Sequence, residues 1–142
     1  MHLYRDGGDG TPDGVDDVYV TTEATDLTGE YMFGDLANGT FWVIVDSRSV
    51  APTAGYNGGS DIGDVWAEQT YGVAGAWCDD GAGGTVELGA AGPCYGGRSV
   101  TVSDDASGLE TAEHVTRVVV EGGGIANVDV GFSFTPVVNT RD

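Results

Sequence analysis

The stretch that decides the fold is Thr40-Phe41-Trp42-Val43-Ile44-Val45-Asp46. It consists mainly of β-branched and aromatic residues, which favour the pleated, half-buried surface of a β-strand. Asn38-Gly39, a dipeptide typical of tight hairpin turns, directly precedes it. We therefore predict a strand at residues 40–46 that follows a turn.

Similar short segments recur along the chain. Leu3-Tyr4-Arg5 and Val18–Thr22 are strand candidates, and apolar side chains recur at every second position around Tyr31 and Phe33. Further strand candidates lie at residues 64–69, 73–77, 85–88, 99–102, 114–121 and 128–134, and a short helical turn, capped by Ser107, is predicted at 107–113. Many short strands, 25 glycines and no long helix predict an all-β sandwich or barrel.

The length of 142 residues fits a single domain, residues 1–142. The regular strand patterns lie in residues 3–46 and 98–136, which we expect to form the core. Residues 47–97 are less regular and rich in glycine, and we interpret them as an elaborated insertion. Because the sequence starts inside an apparent strand, we expect the chain to be one module of a larger exported protein.

The charge balance excludes several classes of partner. Twenty-three acidic residues face five basic ones, a formal net charge of −18, and all five bases are arginine. Such a surface repels the phosphates of nucleic acids and of anionic membranes. No apolar run is long enough to span a bilayer. We therefore expect no nucleic-acid partner and no membrane insertion, whereas divalent cations are compatible partners.

The acidic loop, residues 6–17, is the most informative segment. It contains five aspartates that repel one another and no lysine or arginine that could neutralise them, namely Asp6, Asp9, Asp13, Asp16 and Asp17. Calcium takes six to eight oxygen ligands, and the interspersed glycines let the backbone turn its carbonyls inward. The segment has the twelve-residue length of an EF-hand loop, but Gly8 and Gly10 stand at its third and fifth positions, where an EF-hand has ligating side chains. We therefore predict a calcium loop of another geometry. The alternative is a solvated acidic turn.

Cys78 and Cys94 are the only cysteines of the chain. Neither belongs to a CxxC pair, and no cysteine–histidine cluster suggests zinc. In an acidic, lysine-free, glycine-rich β-type sequence we favour a disulfide between them over two free thiols.

The first third of the chain resembles the B-type repeats of bacterial surface adhesins, the Cna-B and Sdr B-like domains. The resemblance rests on residues 3–46 and above all on the run Thr25-Asp26-Leu27-Thr28-Gly29-Glu30-Tyr31-Met32-Phe33 with Leu36, Gly39 and Phe41. It implies a prealbumin-like or immunoglobulin-like β-sandwich, a rod-forming module at the cell surface or outside the cell, and calcium at the acidic loop. The lysine–asparagine cross-link of many Cna-B domains cannot form here, because the chain has no lysine.

Enzymatic interpretations find little support. His2 lies at the terminus, where we expect disorder, and for His114 we expect a surface or packing role. No nucleophile elbow and no P-loop context is present. Asp79-Asp80 and Asp104-Asp105 fit solvated turns better than secondary cation sites. We therefore predict a non-enzymatic structural or adhesive module whose partners are calcium, neighbouring modules and an extracellular protein or glycan.

The alternative function is carbohydrate binding. The insertion contains aromatic residues on which sugar rings could stack, namely Tyr56, Trp66, Tyr71, Trp77 and Tyr95. The competing interpretation is that these rings fill the core of the insertion, and their exposure distinguishes the two.

Overall fold

A computed structural model describes residues 1–51, 65–98, 106 and 108–136. These residues form antiparallel sheets, which confirms the predicted all-β class. The strands are β1 (His2–Arg5), β2 (Val18–Thr22), β3 (Gly39–Val45), β4 (Val65–Gly72), β5 (Trp77–Asp79), β6 (Thr85–Glu87), β7 (Gly92–Pro93), β8 (His114–Val120) and β9 (Gly131–Pro136).

The principal sheet has the strand order β2-β1-β3-β8, so β3 lies between two neighbours. Phe41 pairs with Arg5 of β1 on one side and with Val118 of β8 on the other. The strands predicted at residues 3–5, 18–22, 40–46 and 114–121 are therefore confirmed within about one residue at their ends.

Both faces of the principal sheet are covered. Successive side chains of a strand point to opposite faces, so Trp42 and Ile44 lie on one face and Phe41 and Val43 on the other. The first pair joins a cluster with Ala106, Leu109, Ala112 and Val115, against which Tyr4 and Trp77 pack. The second pair joins a cluster with Leu3, against which Tyr31, Phe33, Leu36, Val118, Val120 and Val128 pack.

The remaining strands form a sheet of order β7-β4-β9 and a ribbon of β5 with β6. The predicted disulfide is present: Cys78 of β5 and Cys94, directly after β7, are bonded, with their Cα atoms 5.2 Å apart. This Cα separation lies within the usual range for a disulfide. The bridge therefore ties the ribbon to the second sheet.

His114 connects the two sheets. Its imidazole is buried, its Nδ1 lies 2.9 Å from Oε1 of Gln69 in β4, and its ring packs edge-on against Phe132 of β9 at 5.0 Å between centroids. The amide nitrogen of Gln69 donates in turn to Sγ of Cys94 at 3.1 Å. His114 therefore has the expected packing role.

Several boundaries differ from the sequence-based predictions. The strand predicted at 73–77 is wrong for most of its length, because Gly75 adopts a φ of 91° and Ala76 closes a turn by donating to the carbonyl of Val73. Residues 31–33 belong to no sheet, and the strand predicted from 128 begins only at Gly131. The predicted helical turn is a 3-10 turn over Leu109–Thr111 that follows Gly108, whereas Ser107 and residues 99–102 lie outside the described residues.

The expected disorder of His2 is also wrong. His2 belongs to β1, where it pairs with Thr22 of β2 and Ile44 of β3. Its Nδ1 lies 2.8 Å from the hydroxyl of Thr22. Two strand partners hold this residue in place despite its position in the chain.

Candidate metal site in the acidic loop

The acidic loop connects β1 to β2, the outermost pair of strands in the principal sheet. At its start, the backbone amide of Asp6 donates to the carbonyl of Thr40 at 3.0 Å. The first residue of the loop is thus hydrogen-bonded to the neighbouring strand β3. Glycines at positive φ, Gly8, Gly10 and Gly14, let it turn sharply enough to bring distant aspartates together.

Three of the five predicted ligands come together in the loop. Asp9, Asp13 and Asp16 each place one carboxylate oxygen within 4.8 Å of the others. Asp9 and Asp16 are exposed and Asp13 is half-buried. Residues spaced three or four apart in the sequence therefore form an acidic triad that can hold a metal ion.

Among the described residues, no base forms an ion pair with the triad. No ion pair between described residues involves an aspartate of the loop; the arginines that pair do so elsewhere, as Arg48 does with Asp46 and Arg117 with Glu87. Desolvation, followed by the nearby charge of Asp9, raises the pKa of Asp16 above its ordinary value. The folded loop therefore opposes the ionised form of Asp16.

Gly7 is required where the loop closes on itself. A Cβ atom at this position would lie 2.3 Å from Oδ2 of Asp16 and 2.5 Å from the carbonyl oxygen of the same residue. Such contacts are far shorter than packed atoms tolerate. The missing side chain of Gly7 is thus what allows Asp16 to approach the start of the loop.

Asp17 has a different role from the triad. Its carboxylate accepts hydrogen bonds from the backbone amides of Gly7, Asp13 and Gly14 at 3.2 to 3.4 Å. It also accepts one from the indole nitrogen of Trp42 at 3.2 Å. Asp17 therefore organises the backbone of the loop and attaches it to the core.

Asp6 also serves the backbone, since its Oδ1 accepts the amide of Gly10 at 3.1 Å. Over a shorter range, Oδ1 of Asp9 accepts the amide of Thr11, and Oδ1 of Asp13 accepts the amide of Val15. These bonds are typical of Asx turns, in which a carboxylate caps an amide two residues further on. Each of these bonds engages one oxygen of the carboxylate.

The role of Arg98 was not predicted from the sequence. Its buried guanidinium donates to three backbone carbonyls, those of Pro12 in the loop, Leu109 and Ala112, at 3.0, 2.5 and 2.7 Å. Burial lowers the pKa of Arg98 to about 10. Arg98 is one of only five basic residues in an acidic chain, which could have marked it for attention. The sequence does not show, however, to which carbonyls its guanidinium donates.

A sixth carboxylate lies beside the loop. Oε2 of Glu110, in the 3-10 turn, would be 3.5 Å from a Cβ atom placed on Gly14. Glu110 is 93 residues further along the chain than Asp17, the last residue of the loop, so its proximity results from the tertiary fold. It adds a further negative charge beside the five aspartates of the loop.

The other acidic pairs give no comparable group. Asp79 accepts the amide of Gly81, and Asp80 accepts those of Ala82 and Gly84. The hydrogen bonds from Ala82 and Gly84 lower the pKa of Asp80. Asp79 and Asp80 therefore belong to an ordinary turn. Asp104 and Asp105 lie outside the described residues.

The aromatic residues of the insertion do not form a common platform among the residues described. Trp77 packs edge-on against Trp42 in the core, at 5.8 Å between ring centroids. Tyr71 and Tyr95 are exposed, at 39% and 63% of their surface. Tyr56 and the side chain of Trp66 lie outside what the structure describes.

A search of protein-family models finds no match to the chain, and a search of solved structures finds no significant match. Within the described ranges, no helix has the length and apolar character needed to cross a bilayer.

Proposed function

We propose that this chain is a calcium-stabilised structural or adhesive module of a large secreted or cell-surface protein. The observation that carries the proposal is the acidic triad of Asp9, Asp13 and Asp16, three carboxylates within 4.8 Å of one another and without a paired base among the described residues. Carboxylates left in this arrangement repel one another, and a bound cation removes that repulsion.

The donor atoms favour a hard cation. The three ligands are carboxylate oxygens, and no cysteine or histidine belongs to the group. Zinc sites in proteins rely mainly on cysteine sulfur and histidine nitrogen, whereas calcium and magnesium take oxygen ligands. The proposal is therefore restricted to these two abundant ions.

The loop favours calcium over magnesium. The triad oxygens lie within 4.8 Å of one another, an upper limit that either ion satisfies. Calcium accepts irregular coordination by six to eight oxygens at about 2.3–2.6 Å. Magnesium needs oxygens at about 2.0–2.1 Å in a strict octahedron and keeps most of its water. An irregular, glycine-rich loop suits the more adaptable ion.

Calcium bound at the triad would stabilise more than the loop. Asp17 attaches the loop to Trp42 in the central strand, and Pro12 is held by Arg98 together with Leu109 and Ala112. A cation that binds only the folded loop therefore favours the folded principal sheet through mass action. We propose that this linkage is the mechanical function of the site in a module that bears load between its neighbours.

The disulfide supports an exported location. Structural disulfides persist in oxidising compartments and are rare in the cytosol of most organisms. In that setting calcium is abundant, and the proposed partners are neighbouring modules of the same protein and an extracellular protein. The finer assignment to a prealbumin-like or immunoglobulin-like sandwich is part of the same proposal.

A thermal-unfolding experiment tests the calcium site. Chelated protein in 0.15 M sodium chloride is melted with and without 1 mM calcium, which adds little ionic strength to that buffer. For a Kd of about 10 μM the free energy of unfolding should rise by roughly 2.7 kcal/mol. A domain of this size should then melt several degrees higher. Magnesium should give a smaller increase.

Two matched variants separate a site from general screening. Asp13→Asn removes a ligand of the triad and should abolish the calcium increment. Asp79→Asn removes the same charge from an exposed turn outside the loop and should leave the increment intact. Equal melting temperatures with and without calcium in the unmodified chain would refute the proposal.

A further inference from the structure

The strand β2 lies at an open edge of the principal sheet. It pairs with β1 on one side, and the order β2-β1-β3-β8 gives it no second neighbour among the described strands. The opposite edge is covered, because the amide of Arg117 in β8 donates to the carbonyl of Gly75 at 2.8 Å and Thr116 forms a bridge with Ala76. Of the two edges of this sheet, β2 is therefore the one open to an added strand.

The backbone of β2 offers hydrogen-bonding groups on its outer side. Glu23, directly after β2, faces β1, because its amide donates to the carbonyl of Met1 at 2.9 Å and its carbonyl accepts from the nitrogen of Met1 at 2.7 Å. Neighbouring residues of a strand direct their backbone groups to opposite sides, so those of Thr22 face away from β1. A bulge at Val20, which has no partner in β1, limits the regular edge to a short segment.

The side chains along this edge are apolar and exposed. Val18, Tyr19 and Val20 follow one another and are 62%, 54% and 40% exposed, and Val15 shortly before them is 84% exposed. These four are a large share of the eleven large apolar side chains that are exposed in the described part of the chain. Residues 18–22 contain no lysine, arginine or proline, the residues that usually protect an edge strand. Exposed apolar surface concentrated in this way marks an interaction site.

Acidic residues flank β2 at both ends. Asp16 precedes the strand and Glu23 follows it, and both are exposed. Five of the fourteen residues 13–26 are acidic, against 23 of 142 in the whole chain, so the acidic fraction here is more than twice the average. Arg5 of the neighbouring strand turns its guanidinium away, toward the carbonyl of Asn38. An apolar edge with acidic ends is complementary to an apolar segment with basic ends.

We propose that β2 binds a short extended segment of a partner protein, with β-branched residues at its centre and lysine or arginine at both ends. The segment adds a strand to the outer side of β2, covers Val18, Tyr19 and Val20, and directs its basic side chains to the carboxylates at the two ends. A second copy of this chain is a poorer occupant, because its β2 has acidic ends of its own and each copy has a net charge of −18. No ligand of the proposed metal site belongs to β2, so the proposal does not depend on calcium.

Three fluorescently labelled peptides test the proposal. The probe has nine residues with blocked ends, and in it valine and threonine alternate between two pairs of lysines. One control has glutamate in place of lysine. The other carries N-methyl groups on its five central amides, which removes the donors of both strand edges. In 0.15 M sodium chloride, fluorescence polarisation should show saturable binding of the lysine peptide and about tenfold or more weaker binding of both controls.

Hydrogen exchange locates the bound peptide. The amide of Thr22 should exchange more slowly when the lysine peptide binds, because an added strand accepts a hydrogen bond from it. The slower exchange should be confined mainly to residues 18–22. The measurement is made both with calcium and with a chelator, and binding in both conditions separates this edge from the proposed metal site.

Two matched variants test the position of the binding edge. Val18→Lys adds a positive charge and a long side chain to the edge and should weaken binding of the lysine peptide about fivefold or more. Val86→Lys makes the same change at an exposed valine of β6 and should bind as the unmodified chain does. Absent binding of the lysine peptide, equal binding of either control peptide, unchanged exchange at residues 18–22, or equal losses in the two variants overturns the proposal. So does sedimentation that shows a dimer in which residues 18–22 are protected without peptide.

Discussion

The indole nitrogen of Trp42 donates a hydrogen bond to Oδ1 of Asp17 across 3.2 Å. Trp42 is fully buried in the central strand, and Asp17 ends the acidic loop. The same carboxylate accepts three backbone amides of the loop. The side chain of Asp17 thus holds the backbone of the candidate metal loop and attaches the loop to the core of the principal sheet.

We expect Asp17→Ala to destabilise the protein even without calcium. The substitution leaves the buried indole nitrogen and three amides without their acceptor, and one buried polar group left without a hydrogen bond costs about 1–3 kcal/mol. The free energy of unfolding of chelated protein should fall by about 2 kcal/mol or more, and the emission of Trp42 should shift. Denaturant titration followed by tryptophan fluorescence measures both.

Asp9→Ala is the matched control for this variant. Asp9 caps only the amide of Thr11, so its removal should change the stability of chelated protein by less than about 1 kcal/mol. If Asp9→Ala and Asp17→Ala have equal effects on chelated protein, the distinction between ligand and organiser is wrong.

The charge on Asp16 should reduce the stability of the metal-free protein. Its pKa is raised in the folded state, so the folded state favours the protonated carboxyl. As pH rises above the ordinary value of 3.8 and through the raised pKa, the unmodified chain loses stability that Asp16→Asn retains. Chelated Asp16→Asn should therefore equal the unmodified chain near pH 3.5 and exceed it at pH 7.

Calcium should reverse that order at pH 7. The unmodified chain gains binding free energy from the ion, whereas Asp16→Asn lacks a ligand of the triad. Denaturant titrations of both chains at several pH values, with and without calcium, test the crossover. An Asp16→Asn chain that is less stable than the unmodified one under all these conditions contradicts the prediction.

Arg98→Ala should be strongly destabilising. The substitution removes the donors of three carbonyls that belong to Pro12, Leu109 and Ala112. Hydrogen bonds from charged groups contribute about 1.5–3 kcal/mol each, so we expect a loss of about 3 kcal/mol or more. Arg98→Lys should recover little of it, because an ammonium cannot reach three carbonyls with the geometry of a guanidinium fork.

Arg48→Ala is the control for Arg98. Arg48 is an exposed arginine whose guanidinium pairs with Asp46 two residues away, and exposed ion pairs contribute about 0–1 kcal/mol. Calorimetric melting of both variants tests the contrast. Similar small losses in the two variants would show that the buried guanidinium does not hold the loop.

Reduction of the disulfide should weaken the second sheet. In the chain-entropy model a bridge closing a loop of about 15 residues contributes roughly 3 kcal/mol, and loss of native bridges costs about 2–5 kcal/mol. The amide of Gln69 also loses its contact with the bonded sulfur of Cys94. We expect reductant to lower the melting temperature of the unmodified chain and to leave that of Cys78→Ala/Cys94→Ala unchanged. Two alkylated thiols in oxidised, denatured protein would contradict the bridge.

The sequence by itself determined the elements that depend only on the residues within one short segment. Residues 40–46 form a strand because β-branched and aromatic side chains favour one, and the same holds for residues 18–22. The all-β class followed from the repetition of such segments. The position of the acidic loop was equally local, because five aspartates and several glycines within twelve residues exclude a regular helix or strand.

Only the tertiary structure decided which aspartates do what. Asp9, Asp13 and Asp16 converge, whereas Asp17 turns toward Trp42, because a carboxylate's partners depend on backbone turns and on a core residue 25 positions away. The link from Arg98 to Pro12 spans 86 positions. Residues 31–33 alternate as a strand does but belong to no sheet, since a strand also needs a neighbouring strand to accept its hydrogen bonds. Composition and periodicity describe single segments, and only the folded chain fixes their partners.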